Sequence, residues 1–448
     1  MSQENRATFG GRIGAVLVAA GSAVGLGNIW RFPYIVGENG GGAFLLVYLC
    51  CIMLLGLPLM ISEFSIGAST HKNAVGAFRE LNKRWTVVGY LGVLASLLIL
   101  SFYLVVAGWT AEYTLHSFLA NDVVRSTSVE VQTAAFNSFI THPWKPLIYA
   151  VGFSLATHII IVLGVQKGIE RASKLLMPML FVFLFVLACR SMMMPRGLEG
   201  LQFFLTPDFS KLTTSSVLAA LGQAFFSLSI GLGTMVTYGS YFKSTTHVQG
   251  TAVRVSLLDT FVAIMAGLVI FPAVFSAGIE PGAGPSLVFI TLPSIFATMP
   301  WPALWSSLFF LLLVVAALTS TISMHEAGTA YMEEEYGLSR RKAAWCVTLF
   351  VSLLCCFCSL SLGAWSWLKV CGLSLFDAFD YLTANIMLPL GGLLTCLFTG
   401  WFFERKRFES QLYPEGKIGR LYPVLRLLIR YICPIIIVIL FADNLGII

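Results

Sequence analysis

Charge is what this chain has least of. Of its 448 residues, 11% are Asp, Glu, Lys or Arg and 57% are hydrophobic, where soluble domains carry about 25% charge. The mean hydropathy of +0.83 is an average over the whole length, so the apolar excess cannot belong to one leader or one anchor. A soluble protein of this size is excluded. Histidine is scarce too: the six are scattered, and neither HExxH nor GxSxG occurs, so the zinc-protease and serine-hydrolase patterns are missing. No CxxC is found among the ten cysteines, and Cys355, Cys356 and Cys358 sit in an apolar run without histidine. Their environment reads as packing, not metal binding. The two longest loops assigned below to the outer side contain no cysteine, so nothing suggests an exported disulfide framework. The net charge of +6 is divided among short loops and gives no nucleic-acid-binding face.

What the chain does have is apolar sequence of membrane length. Such runs lie at about 12–36, 42–70, 87–118, 145–164, 170–192, 216–241, 252–275, 302–332, 343–363, 376–403 and 422–442. At about 20 residues per span these are eleven helices, numbered here as spans 1 to 11, and they use up residues 1–448 as one all-α polytopic membrane domain. Helix is the spanning form, because lipid cannot satisfy open backbone groups and the runs lack the two-residue alternation of a barrel. If the N-terminus is inside, nineteen lysines and arginines fall on inner segments, from Arg6 and Arg12 to Lys417 and Arg420. Six, Arg125, Lys145, Arg190, Arg196, Lys211 and Lys369, fall outside. The positive-inside rule then places the N-terminus in the cytoplasm and the C-terminus outside.

Two spans are interrupted by glycine near mid-depth. Span 1 reads Gly21-Ser22-Ala23-Val24-Gly25-Leu26-Gly27-Asn28 and span 6 reads Ser227-Leu228-Ser229-Ile230-Gly231-Leu232-Gly233. Close packing through small residues explains many membrane glycines. A matched pair in two halves of a chain points instead to broken helices in an inverted-repeat transporter, spans 1–5 (about 12–192) and 6–10 (about 216–403), with span 11 (about 422–442) outside the symmetry. Breaking a helix in lipid frees amide hydrogens at one half-helix end and carbonyl oxygens at the other. A substrate carboxylate suits the first and a sodium ion the second. Ser22, Asn28, Ser227 and Ser229 add oxygens at the breaks. Arg31, Glu63, Glu112, Asp259, Glu326, Asp377 and Asp380 are charged residues within spans, each costing at least about 2.5 kcal/mol at the bilayer centre unless paired or hydrated.

The segment from Gly21 to Tyr34, with Trp30-Arg31-Phe32-Pro33, and Glu38-Asn39-Gly40-Gly41-Gly42-Ala43-Phe44 closely resembles the neurotransmitter:sodium symporter family, especially its bacterial amino-acid transporters. The resemblance continues through Gly56-Leu57-Pro58, Glu63, Tyr103, Trp109, Gly222-Gln223-Ala224-Phe225-Phe226-Ser227 and Ala317-Leu318-Thr319-Ser320. It implies a LeuT-type fold and sodium-coupled import of a small amine or amino acid by alternating access, in the plasma membrane of a prokaryote, with the lipid bilayer as surroundings and no obligatory protein partner evident. Two sodium sites are implied. Ala23, Asn28, Ser227 and Asp259 would form the first. Gly21, Val24, Ala316, Thr319 and Ser320 would form the second. Six oxygens with few full charges suit such a hard cation.

By the same resemblance Tyr103 and the amides of Leu26 and Gly27 receive a substrate carboxylate, while Ala23, Phe226, Ser227 and Ser320 meet its ammonium or cover it. Ile99, Ser229, Leu232, Ser323 and Met324 line the side-chain pocket. Leu232 stands where many relatives have phenylalanine, and Met324 is long enough to refill that space. Gly25 stands where monoamine carriers have aspartate, which leaves room for the substrate's own carboxylate. A hydrophobic L-amino acid, aromatic ones included, is the expected substrate. GABA, betaine or a biogenic amine is the alternative within the transporter class, and a ligand-gated channel or sensor outside it. Arg31 and Asp380 resemble an outer gate, direct or water-bridged, and Arg6, Ser240, Tyr241 and Glu334 an inner latch. Phe9 and Glu334 replace the usual tryptophan and aspartate there. The stretch from Gly168 to Pro178 in span 5 is expected to unwind inward. Ala263 and Asp259 stand where chloride-dependent members have serine and asparagine, so no chloride requirement is expected.

Overall fold

The computed structural model describes residues 7–279, 287–416 and 418–444. Nine continuous helices there are long and apolar enough to cross a membrane: Gly42–Thr70, Lys83–Phe118, Lys145–Val162, Val165–Met192, Val248–Ser276, Pro302–Glu335, Arg340–Ser361, Leu375–Phe402 and Tyr422–Asn444. They are spans 2 to 5 and 7 to 11. Span 1 is a bent pair, Arg12–Ala23 and Gly27–Glu38, turned by 50° at its break. Span 6 is also in two pieces, Thr214–Ser227 and Thr234–Gly239. The expected boundaries hold to within a few residues, except at span 5, which is helical from Val165, five residues earlier than expected.

Spans 3 and 8 pack along one another through the centre, and both are among the most completely buried of the set. Spans 4, 5 and 11 lie outside them and turn apolar side chains such as Val182, Phe185 and Val438 outward, as lipid-facing helices do. The stretch between Gly168 and Pro178 is wound: Pro178 lies inside an uninterrupted helix. Gly168 is set by close approach, since a Cβ there would stand 2.0 Å from the Ile160 carbonyl at the end of span 4.

The two faces are covered differently. Over the Arg31 end lie the short helices Asp122–Arg125, Val129–Ile140 and Thr291–Ala297 and a two-stranded ribbon, Lys369–Val370 with Leu373–Ser374. The opposite, basic face carries Ala74–Leu81 and Arg405–Leu412. Asp377, expected within span 10, sits instead in its exposed first turn, where Ser374 caps the helix through the Asp377 amide.

Candidate functional site

Both breaks lie at the centre of the bundle and touch: the Ser229 hydroxyl donates to the Ser22 carbonyl at 2.9 Å. Their freed amides have found partners. In span 1 the Leu26 amide donates to the Tyr103 hydroxyl at 3.0 Å. In span 6 the Gly231 amide donates to the Glu63 carboxylate at 2.7 Å, which explains one of the charged residues within the membrane.

Beside the breaks, Asp259 is fully buried. Its carboxylate accepts from the Asn28 side-chain amide at 2.8 Å and from the Ser227 hydroxyl at 2.6 Å, and Tyr48 donates to Ser227 at 3.1 Å. No Lys, Arg or His pairs with it among the described residues. An ionised carboxylate held in a dry interior by neutral donors alone is costly. The donor set is therefore chemically suited to a monovalent cation; the Asn28 side-chain oxygen accepts from the Gly25 amide at 3.3 Å.

A second oxygen cluster forms where the first half of span 1 ends against span 8. The Val24 amide closes the last helical turn on Ala20, and the backbone then becomes extended, leaving the carbonyls of the last turn without helical partners. Thr319 Oγ1 lies 2.9 Å from the Ala316 carbonyl and 3.4 Å from that of Val24. Gly21 packs directly on Thr319. Ser320 departs from this cluster: its Oγ faces Gly25, where a Cβ would come within 2.4 Å of it and 3.0 Å of the Tyr103 hydroxyl.

Between the two clusters lies a cavity of about 30 Å³. Eleven of the thirteen residues expected to bind substrate line it: Ala23, Gly25, Gly27, Ile99, Tyr103, Phe226, Ser229, Leu232, Ser320, Ser323 and Met324. Leu26 and Ser227 do not, the first facing the space above and the second turned to Asp259. Ser22 and Leu388 line it as well and escaped the sequence reading. A leucine in an apolar span carries no signal, and Ser22 had been read only as a sodium-side oxygen.

Above Phe226 opens a vestibule of about 330 Å³ that includes Arg31, Trp109 and Asp380. Arg31 and Asp380 line it together but form no ion pair among the described residues. The Arg31 guanidinium instead lies over the Phe226 ring, 4.5 Å from its centroid, the geometry of a cation–π contact. The basic face is closed. Phe9 is buried against Tyr238, Tyr241 and Phe242, and its amide donates to the Tyr241 carbonyl.

Of the latch residues, Arg6 lies outside the described residues. Ser240 donates to Thr237, and Glu334 accepts from the Asn73 backbone amide at 2.8 Å and its side chain at 2.9 Å. Tyr241 donates to Glu326 at 2.6 Å, and Arg340 pairs with the same carboxylate at 2.6 Å. Sequence reading missed this tie because Arg340 stands in a basic run that reads as topology. Nearby, Glu80 holds Lys72 and Arg407. Burial raises its pKa, but those hydrogen bonds outweigh burial and leave it below the ordinary glutamate value.

This geometry agrees with what the chain resembles. A model described as the sodium:neurotransmitter symporter family matches residues 6–143 and 130–447. The sodium-dependent transporter YhdH of Bacillus subtilis (strain 168) is 38% identical over 100% of this chain and 99% of that protein. A sodium-dependent transporter of Haemophilus influenzae (strain ATCC 51907 / DSM 11121 / KW20 / Rd) is 34% identical over 99% of each. Among solved structures, MhsT in complex with L-phenylalanine is 42% identical, with a TM-score of 0.90 over 98% of this chain and 100% of that one. The chain belongs to the sodium:neurotransmitter symporter family and is a multi-pass sodium-dependent transporter, not an enzyme, with a LeuT-type fold built around broken spans 1 and 6.

Proposed function

We propose that the chain imports a hydrophobic L-amino acid, aromatic ones included, with sodium and without chloride. The observation that carries this reading is the notch at Gly25. There the central cavity meets the Asp259 cluster, and Ser320 and Tyr103 close in so tightly that a Cβ would displace the Ser320 hydroxyl. The carboxylate that completes the first sodium site has to arrive with the substrate. Its oxygens would take the Tyr103 hydroxyl and the amides of Leu26 and Gly27. Ile99, Leu232, Met324 and Leu388 offer mainly apolar surface for the side chain, with the Ser229 and Ser323 hydroxyls beside it. That a relative has been solved with L-phenylalanine supports the same class.

Ala23, Asn28, Ser227 and Asp259 would hold one sodium, and Gly21, Val24, Ala316, Thr319 and Ser320 a second once the Ser320 hydroxyl rotates toward Thr319. Asp259 supplies a fixed negative charge, and Ala263, one turn on along the same helix and fully buried, offers an anion no donor. The vestibule faces outside and the closed basic face lies in the cytoplasm, as the positive-inside rule has it. Substrate then descends past Phe226. Approach of Arg31 to Asp380 would close the outer gate, and release of Phe9, Tyr241 and Glu334 would open the inner one.

The test is sodium-jump uptake in proteoliposomes, competed with the twenty amino acids, tryptamine and GABA, in chloride and in gluconate. Leucine, tryptophan, tyrosine and phenylalanine should compete, and gluconate should support full uptake. Tryptamine binding as tightly as tryptophan would overturn the carboxylate argument, and collapse in gluconate the chloride argument.

A further inference from the structure

A second cavity, about 150 Å³, lies beside the vestibule and shares no lining residue with it. It is bounded by the end of span 3, the helix Val129–Ile140 and the start of span 8. One thickness of aromatic rings separates the two spaces. Tyr113 lines the side cavity, Phe136 and Phe289 line the vestibule, and the ring centroids are 6.4 Å and 5.4 Å from that of Tyr113.

The side cavity holds ionisable groups of both signs that form no ion pair with each other. Glu112 is 8% exposed, and its one ion-pair-distance partner among the described residues is His116 Nε2 at 3.1 Å. The Asn121 side-chain amide meets His116 Nδ1. With that nitrogen accepting, the proton sits on Nε2 and points at Glu112, so the imidazole is a neutral donor, not a counter-charge. Lys145 lines the same space from the start of span 4 without pairing to Glu112. Much of the remaining wall is short and polar, including Ser117 and Ser306, whose hydroxyls meet at 2.8 Å.

We propose that this cavity is a second ligand site, for a small zwitterionic amino acid with a short or hydroxylated side chain, its ammonium on Glu112 and its carboxylate on Lys145. A buried carboxylate lacking a cationic partner is costly, and a zwitterion brings both complementary charges in one molecule. A simple anion would face Glu112 unpaired. What sets this cavity apart from the central pocket is the pair of ionisable side chains, Glu112 and Lys145, in its wall. A ligand here also touches the helices Val129–Ile140 and Thr291–Ala297, next to the rings of Phe136 and Phe289. It therefore braces the vestibule wall and slows exchange of substrate from below, a consequence that rests on the function proposed above.

The experiment is equilibrium binding of radiolabelled L-serine to the purified full-length protein in sodium-free potassium buffer, which leaves the sodium-dependent central site silent. Saturable binding is expected, weakened about tenfold in Glu112→Gln and less in Lys145→Gln, whose side chain keeps access to water. Ethanolamine should compete weakly and propionate not at all. In sodium buffer, serine should slow dissociation of labelled L-phenylalanine from wild type more than from Lys145→Gln. Absence of saturable serine binding, or equal binding in wild type and Lys145→Gln, would overturn the proposal. The exposed Lys145 variant keeps the test decisive should Glu112→Gln fail to fold. A protein that binds serine but no hydrophobic amino acid in sodium would overturn the central-site reading instead.

Discussion

The two breaks share the tripeptide Gly-Leu-Gly but not its purpose. In span 1 neither Gly25 nor Gly27 has a positive φ; Val24 is extended where the helix ends, and helix resumes after a 50° bend. In span 6 Ser229, Gly231 and Gly233 have φ of 53°, 84° and 68°, all left-handed. The span 1 glycines supply room: a Cβ on Gly27 would sit 2.9 Å from the Phe226 ring, as one on Gly25 would meet Ser320. Those of span 6 supply torsion that side chains resist. Identical letters thus leave room for close neighbours in one half and set backbone geometry in the other.

Substitution can break that contrast. The largest effect is expected for Gly231→Ala, which combines a left-handed φ with a Cβ 2.7 Å from the Leu388 carbonyl. The torsion alone costs about 1–3 kcal/mol, so thermal unfolding in detergent should move well below wild type and uptake should be lost. Gly25→Ala should leave the unfolding temperature near wild type while weakening substrate binding by about tenfold or more, the loss of one charged hydrogen-bonding partner. Equal destabilisation by the two changes would erase the distinction. Asp259→Asn removes the fixed charge beside both breaks. It should raise the half-saturating sodium concentration by about tenfold in binding assays, with a smaller change in stability because neutral donors already surround the site. Ser229→Gly is the smallest and sharpest: it relieves one strained φ and deletes the bond to Ser22. Those terms are each about 1 kcal/mol and opposed, so stability should scarcely change, whereas Ser229→Ala should destabilise by losing the bond and keeping the strain.

The span count and the places where spans break were legible because lipid makes apolar length and mid-span glycine unusually informative. Asp259 stands out as a charge in an apolar run, but that no cationic side chain among the described residues pairs with it is a property of several helices at once. Pairings across the bundle were less visible. Nothing about Arg340 in a run of three basic residues indicates that it reaches back fourteen positions, across the turn between two spans, to Glu326, and nothing marks Leu388 as pocket lining. The Arg31 side chain was read toward its opposite charge, Asp380. In this structure the aromatic face of Phe226 holds it instead, by a cation–π contact.

Asp259 also has an electrical consequence. A mobile counter-anion could accompany sodium on the loaded stroke and be absent on the return, but a carboxylate built into span 7 is present for both. On the proposed cycle the loaded site moves inward with net positive charge, and the empty site turns outward still carrying a negative one. Moving a unit charge through the full membrane field is worth about 2.3 kcal/mol per 100 mV. An inside-negative voltage would therefore pull the cargo in and push the vacated site back out, and depolarisation would slow both halves of the cycle.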